Sequence, residues 1–157
     1  MSKSKILTKA IAEQFLEDVD SADETQFTSI EDKAAQALAR FPEEEVLNLS
    51  GLTSLSDAAA QALAQHEGRL DLSGLTSLSD AAVQALAQHK GYWLNLSGLT
   101  SLSDAAVQAL ARHEGFLYLD GLTSLSDGAA QALAKHEGDL RLSGLTSLSD
   151  GAAQALA

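Results

Sequence analysis

The sequence predicts an α/β repeat protein, a solenoid built from short strands and short helices, and three observations carry that prediction. The first is self-similarity. From Leu47 the chain reads LNLSGLTSLSDAAAQALAQHEGR, then LDLSGLTSLSDAAVQALAQHKGYW and LNLSGLTSLSDAAVQALARHEGF, then LYLDGLTSLSDGAAQALAKHEGD and LRLSGLTSLSDGAAQALA. Thr53, Thr76, Thr100, Thr123 and Thr146 step by 23, 24, 23 and 23 residues, a period at which each unit buries its apolar face only against its neighbours. The second is that each unit switches partway from a two-residue to a helical periodicity. The third is composition: 45% hydrophobic residues but only 4% aromatics, which excludes disorder and fits thin, closely packed elements.

The elements follow in order. Residues 4–20 read as an amphipathic capping helix within an N-terminal segment 1–24, because Leu7, Ile11, Phe15 and Val19 form an i, i+4 stripe suited to covering the open end of a repeat array. Lys3, Lys5 and Lys9 would suit a membrane-surface anchor, but Glu13, Glu17, Asp18 and Asp20 oppose it, so capping is the expectation. A degenerate first repeat spans 25–46, where FTSIEDKAAQALARF places Thr28 25 residues before Thr53. Full repeats run over 47–139, and a last one over 140–157 stops before the expected His and Gly, as a truncated array would.

Within a unit, Leu70 and Leu72 alternate with Asp71, the pattern of a short strand. Gly74 marks a turn at which a positive φ is accessible. In Ser77-Leu78-Ser79-Asp80 either serine can serve as helix N-cap, in a start resembling a capping box. The stretch DAAVQALAQH then predicts a helix with Ala82, Val83 and Leu86 on one face and Gln84 and Gln88 on the other, and Gly91 stands where a left-handed C-terminal cap belongs.

The recurring pattern LxLxGLTxLSDxAAxALAxHxG, over nearly all of residues 25–157, resembles bacterial leucine-rich repeat proteins of the short-repeat kind. That resemblance implies a right-handed, curved solenoid with a parallel sheet on its concave side and helices on its convex side. The family pattern has a buried asparagine after the strand, where this chain has Leu52, Leu75, Leu99, Leu122 and Leu145. Thr-Ser pairs such as Thr76-Ser77 are the expected substitutes for a stacked asparagine ladder.

Charge and composition narrow the function. A formal net charge of −12 disfavours nucleic acid and anionic membrane as partners. With no cysteine there is no disulfide, thiolate metal site or cysteine nucleophile. No signal-peptide core follows Lys5, and no run approaches the roughly 18 apolar residues of a membrane span, so the expectation is a cytoplasmic protein without one.

Candidate chemistry mostly dissolves into the repeat. Asp57, Asp80, Asp104, Asp127 and Asp150 recur in each first helical turn, where a carboxylate meets the positive end of the helix dipole. A catalytic group is normally singular, so no enzyme, catalytic residue or cofactor is expected. His66, His89, His113 and His136 form a tempting column. No unit supplies a second ligand, though, and a curved array is expected to spread its helical side apart, so each His reads as a partner for the last helical carbonyls and the dipole rather than a metal ligand. The sequons Asn48-Leu49-Ser50 and Asn95-Leu96-Ser97 read as accidents of the repeat, GLTSLSD lacks the glycines and lysine of a phosphate loop, and Glu43-Glu44-Glu45 reads as a solvated loop.

What distinguishes one repeat from another is a small grid on the outer face of the strands. If the leucines point inward, the outward columns are Val46, Arg69, Trp93, Phe116 and Asp139, then Asn48, Asp71, Asn95, Tyr118 and Arg141, then Ser50, Ser73, Ser97, Asp120 and Ser143. Trp93, Phe116 and Tyr118 should form one patch across adjacent strands, rimmed by Arg69, Asp71 and Asn95 on one side and Asp120, Asp139 and Arg141 on the other. Tyr92 reads as the extra residue of the 24-residue unit, or shares that role with Trp93. An aromatic centre with a charged rim is the usual composition of a recognition hot spot. The expected function is therefore a non-catalytic scaffold for a protein or peptide. The alternatives are binding of a carbohydrate or cell-envelope glycan, and a purely structural array that associates end to end through its uncapped last repeat.

Overall fold

A computed structural model of the chain describes residues 5–20 and 23–157. Each alternating Leu-x-Leu gives a three-residue strand or slightly less: β3 (Val46–Asn48), β4 (Arg69–Asp71), β5 (Trp93–Asn95), β6 (Phe116–Tyr118) and β7 (Leu140–Arg141). They pair in parallel in sequence order, forming one five-stranded sheet. The strand leucines Leu47, Leu70, Leu94 and Leu117 are buried while the residues on either side of each are half-exposed, as period two requires.

Each strand leads through a turn to a seven-residue helix that begins with aspartate: α2 (Asp32–Leu38), α3 (Asp57–Leu63), α4 (Asp80–Leu86), α5 (Asp104–Leu110), α6 (Asp127–Leu133) and α7 (Asp150–Leu156). Helices this short are marginal alone. Here they pack consecutively, with alanines such as Ala59, Ala82, Ala106 and Ala129 fully or almost fully buried. The small side chains let neighbouring helices approach, and their leucines meet those of the strands in one apolar core. The result is a stack of α/β repeats.

The second of the two candidate serines caps the helix. Ser56, Ser79, Ser103, Ser126 and Ser149 each accept a hydrogen bond from the backbone amide three residues on, at 3.0–3.1 Å. The same hydroxyl donates to the first-turn aspartate of the preceding repeat: Ser103 to Asp80 at 2.9 Å and Ser126 to Asp104 at 2.6 Å, with Ser56–Asp32, Ser79–Asp57 and Ser149–Asp127 completing the set. The aspartates thus serve as acceptors between repeats as well as complements to the helix dipole. The threonines make a comparable contact only toward the two ends of the stack, and the Thr76-Ser77 pair, expected to replace an asparagine ladder, makes none. Thr28, Thr53 and Thr146 each direct both amide and hydroxyl at one carbonyl of the preceding unit, that of Lys5, Thr28 and Thr123 respectively. Leu52, Leu75, Leu99 and Leu122 are buried where the asparagine would stand.

Several expectations need correction. The N-terminal segment is not simply a helix over 4–20. It contains β1 (Ile6–Leu7), paired in parallel with β2 (Ser29–Ile30), and α1 (Lys9–Glu17), capped by Thr8 and packed on α2. Leu7 is therefore buried from a strand, Phe15 packs edge-on to Phe27 at 6.1 Å, and Val19 lies exposed beyond the helix. Residues Lys5-Ile6-Leu7-Thr8 occupy the register of Thr28-Ser29-Ile30-Glu31, so this segment is a further degenerate unit in the stack. Lys3 lies outside the described residues.

The repeat helices also end earlier than DAAVQALAQH suggests. Ala87 closes α4 with ordinary right-handed backbone, so neither His89 nor Gly91 belongs to the last turn or the cap. Positive φ occurs only at Gly115 and Gly138 among the described residues. Gly74 is needed for a different reason: a Cβ there would lie 1.9 Å from the Ser50 carbonyl oxygen and 2.8 Å from that of Leu52. Successive turns touch backbone to backbone at this column.

Gly74→Ala must therefore prise two repeats apart, and a loss of about 3 kcal/mol is expected in urea denaturation. Gly128→Ala should do the opposite. Its Cβ would meet nothing closer than the Asp104 carboxylate at 3.6 Å, so a gain of up to about 1 kcal/mol is expected from the better helix former.

Candidate functional site

The strand register brings the outward columns together. Val46 stands opposite Arg69, Asn48 opposite Asp71, Asp71 opposite Asn95, Trp93 opposite Phe116, Asn95 opposite Tyr118, and Tyr118 opposite Arg141. The aromatic residues gather on β5 and β6, but as two pairs rather than one row. Trp93 meets Tyr118 diagonally, edge to face, with ring centroids 5.2 Å apart. Phe116 turns the other way and meets Tyr92 at 6.1 Å, also edge to face. Tyr92 is 53% exposed and belongs to the patch. Its one-residue insertion before β5 shifts it off the regular grid, and reasoning by columns therefore misses it.

The rim is partly self-satisfied. Arg141 lies over the Tyr118 ring, 4.8 Å from guanidinium carbon to centroid, and pairs with Asp120 at 3.1 Å. Asp120 Oδ1 accepts from both the amide and the hydroxyl of Ser143, at 3.0 and 2.7 Å. Desolvation pushes the Asp120 carboxyl up, but these two hydrogen bonds and the guanidinium outweigh it and hold it below the usual carboxylate range. Along the strands, Asn48, Asp71 and Asn95 each accept from the amide two residues on, that of Ser50, Ser73 and Ser97, at 2.9–3.1 Å. These contacts turn the chain after the strand, and they use the Oδ1 of both sequon asparagines. Arg69 reaches the Glu44 carbonyl at 3.4 Å, beside the exposed Glu43–Glu45 run. Asp139 is exposed and gives only its carbonyl to the Leu117 amide.

The histidines depart furthest from expectation. They follow the helices, so they do not complement their dipoles from the last turn, and they are not spread apart. His66 and His89 rings lie 6.2 Å apart, and His89 and His113 rings 5.7 Å. Burial drives all three toward the neutral form. Stacked rings present nitrogens side by side rather than converging on a point. Among the described residues no three His, Asp or Glu side chains are arranged to hold a metal ion.

A groove of about 630 Å³ runs between α5 and α6, where Arg112 and Lys135 face Glu114 and Glu137. Its charges cancel, so it selects no ligand by charge. No described helix is long and apolar enough to cross a membrane. Fold and surface together define a class, an α/β repeat protein whose units differ chiefly on the outer face of the sheet. No family model matches this chain, and no curated protein matches it.

Arg141→Ala removes the one ion pair that joins two repeats among the described residues. The Asp120 titration, followed by carboxyl-carbon NMR, should move up toward the ordinary range. Stability at neutral pH should change by less than about 1 kcal/mol, because the pair is solvent-exposed.

Proposed function

We propose that this chain is a leucine-rich-repeat solenoid, right-handed with the sheet on its concave side, acting as a non-catalytic recognition scaffold for a protein or peptide. The handedness follows the general rule for parallel strand–crossover–strand units. One observation carries the functional reading: in an array of nearly identical helices, the variable sheet positions of two adjacent repeats hold Tyr92, Trp93, Phe116 and Tyr118 as two ring pairs with exposed surface. Half-exposed aromatic rings on a sheet are costly to leave in water and give large contact area with few rotatable bonds. The strands beneath are held by the repeat stack, so binding orders little of the scaffold.

The polar rim favours a protein or peptide over a glycan. The side-chain oxygens of Asn48, Asp71, Asn95 and Asp120 already accept hydrogen bonds from serines of the chain. Fewer acceptors are thereby left for sugar hydroxyls, whereas apolar and main-chain groups of a peptide need only the ring faces and the periphery.

Trp93 is the only tryptophan, so its fluorescence reports on the site directly. Titration with tryptophan-free peptides selected from a random library should shift the emission saturably, and glucan or chitin oligosaccharides should not. Trp93→Ser/Tyr118→Ser should keep the circular dichroism spectrum and lose at least about 2 kcal/mol of peptide affinity, roughly 30-fold. Collapse of the helical signal in that variant would assign the rings to packing. Saturable shifts with sugars alone would assign the face to glycans.

A further inference from the structure

Four rings line up through the turns that follow α2 to α5, Phe41, His66, His89 and His113, and His136 stands in the next turn, after α6. Centroids are 6.2 Å apart from Phe41 to His66, 6.2 Å from His66 to His89 and 5.7 Å from His89 to His113, where the planes lie within 12° of parallel. The three inner histidines are 0%, 6% and 2% exposed. Both ring nitrogens of His66 and His89, and Nδ1 of His113, have no partner within hydrogen-bond geometry, although backbone of Arg69 lies near His66 and of Gly68 near His89, while Nε2 of His113 faces the Gly91 carbonyl at 3.2 Å. The half-buried His136 instead has a carbonyl at each nitrogen, Ala111 at 3.4 Å and Gly115 at 2.9 Å.

Phe41 is the informative member. It occupies the histidine position of the degenerate repeat, is buried, and keeps the same spacing to the next ring. Ring packing alone therefore satisfies this position, and at His66 and His89, whose ring nitrogens have no partner within hydrogen-bond geometry, what histidine adds is the capacity to take up a proton. We propose that the column is an acid-sensitive spine: neutral rings seal each repeat to the next, and protonation sets like charges about 6 Å apart inside the stack, so that the repeats part cooperatively in mildly acidic solution.

The surroundings agree. Desolvation lowers His89 to about 3, reinforced by its neighbours His113 and His66. His66 and His113 are lowered too, first by desolvation. The backbone of Arg69 beside His66 and of Gly91 beside His113, and after them Glu67 and Glu114, pull the other way without reversing the direction, and His136 adds to the repulsion on His113. The remaining charges near the column are Lys90, next to His89 in the chain, and Arg112, Lys135 and Glu137, which share the groove of His113. From the preceding repeats the rings meet backbone glycine, Gly68 for His89 and Gly91 for His113.

An unfolded imidazole takes its proton near pH 6.5, whereas the buried His89 ring resists until about 3 and His66 and His113 are shifted in the same direction. The folded state thus binds fewer protons. Stability is complete above about pH 6.5 and is lost as pH falls from there toward the folded value. A ring that stays neutral through this window, as His89 does, lowers the folding equilibrium constant by about tenfold per pH unit once well below 6.5, and His66 and His113 act in the same direction. Aspartate and glutamate ordinarily titrate near 4, so the window from pH 6.5 to 5 belongs to histidine.

The test copies the chain's own solution. Folding constants from urea denaturation between pH 7.5 and 4.5 are compared for the unaltered chain, His89→Phe and His66→Phe/His89→Phe. Each replacement should flatten the slope of log K against pH by up to about one between pH 6.5 and 5. The acid midpoint of the double variant should fall by about half a pH unit or more. An unchanged slope and midpoint would overturn the proposal. If the phenylalanine variants do not fold at pH 7.5, the imidazole Cε1–H resonances of the unaltered chain decide. Three of the four should keep their neutral shifts until the helical signal is lost; four independent titrations near 6.5 in an intact fold would sink the idea.

Discussion

A serine hydroxyl that accepts from its own helix and donates to the helix before it is the contact on which the rest of the stack depends. Each repeat helix has only seven residues and each strand two or three, too little to be stable alone. The N-cap serine begins the helix, and its proton fastens that beginning to Asp32, Asp57, Asp80, Asp104 or Asp127 one unit earlier. Local structure and long-range order are thereby one event. With helix starts held in register, buried alanines close the helix layer, the leucines meet beneath it, and the turns come near enough that only glycine fits at positions such as Gly74. The sheet's outer face is free to vary because none of these contacts uses it.

Much of this was legible in the residues. The period identified the units, the Leu-x-Leu alternation located every strand of the main sheet, and DAAVQALAQH located the helices. The outward columns emerged in the observed register because a parallel stack of near-identical units leaves no freedom to slip. What escaped was whatever depends on contact between units. The role of Asp80 in holding Ser103, the stacking of His89 on His113, and the backbone contact at Gly74 are invisible within a single repeat. Helix ends were overrun because Ala, Gln and His continue a helix readily by propensity; the chain instead leaves it at Ala87 so that His89 can enter the ring column. At the N-terminus, Leu7 falls on both the helical stripe and the strand β1, and pairing with Ile30 wins.

The candidate site was half legible for a related reason. Trp93, Phe116 and Tyr118 were found because they interrupt a monotonous pattern, and they do lie on adjacent strands. Which ring meets which depends on side-chain direction, and the inserted Tyr92 draws Phe116 toward the strand start while Trp93 leans across to Tyr118. Position along a repeat indicates where a side chain leaves the backbone. The neighbouring unit decides where it comes to rest.

The serine–aspartate ladder also has a direction. Every proton points from a later unit to an earlier one, at separations of 22 to 24 residues. Units therefore join head to tail in one sense only, and the joint is the same wherever it falls. Duplication or loss of a whole unit by misaligned recombination between near-identical coding segments would leave an intact ladder on either side of the event. The aromatic pairs have no such protection, because they exist only where one particular unit follows another. Such a stack changes its length easily while its aromatic surface stays bound to a single junction, the one at which the repeat carrying Tyr92 and Trp93 meets the repeat carrying Phe116 and Tyr118.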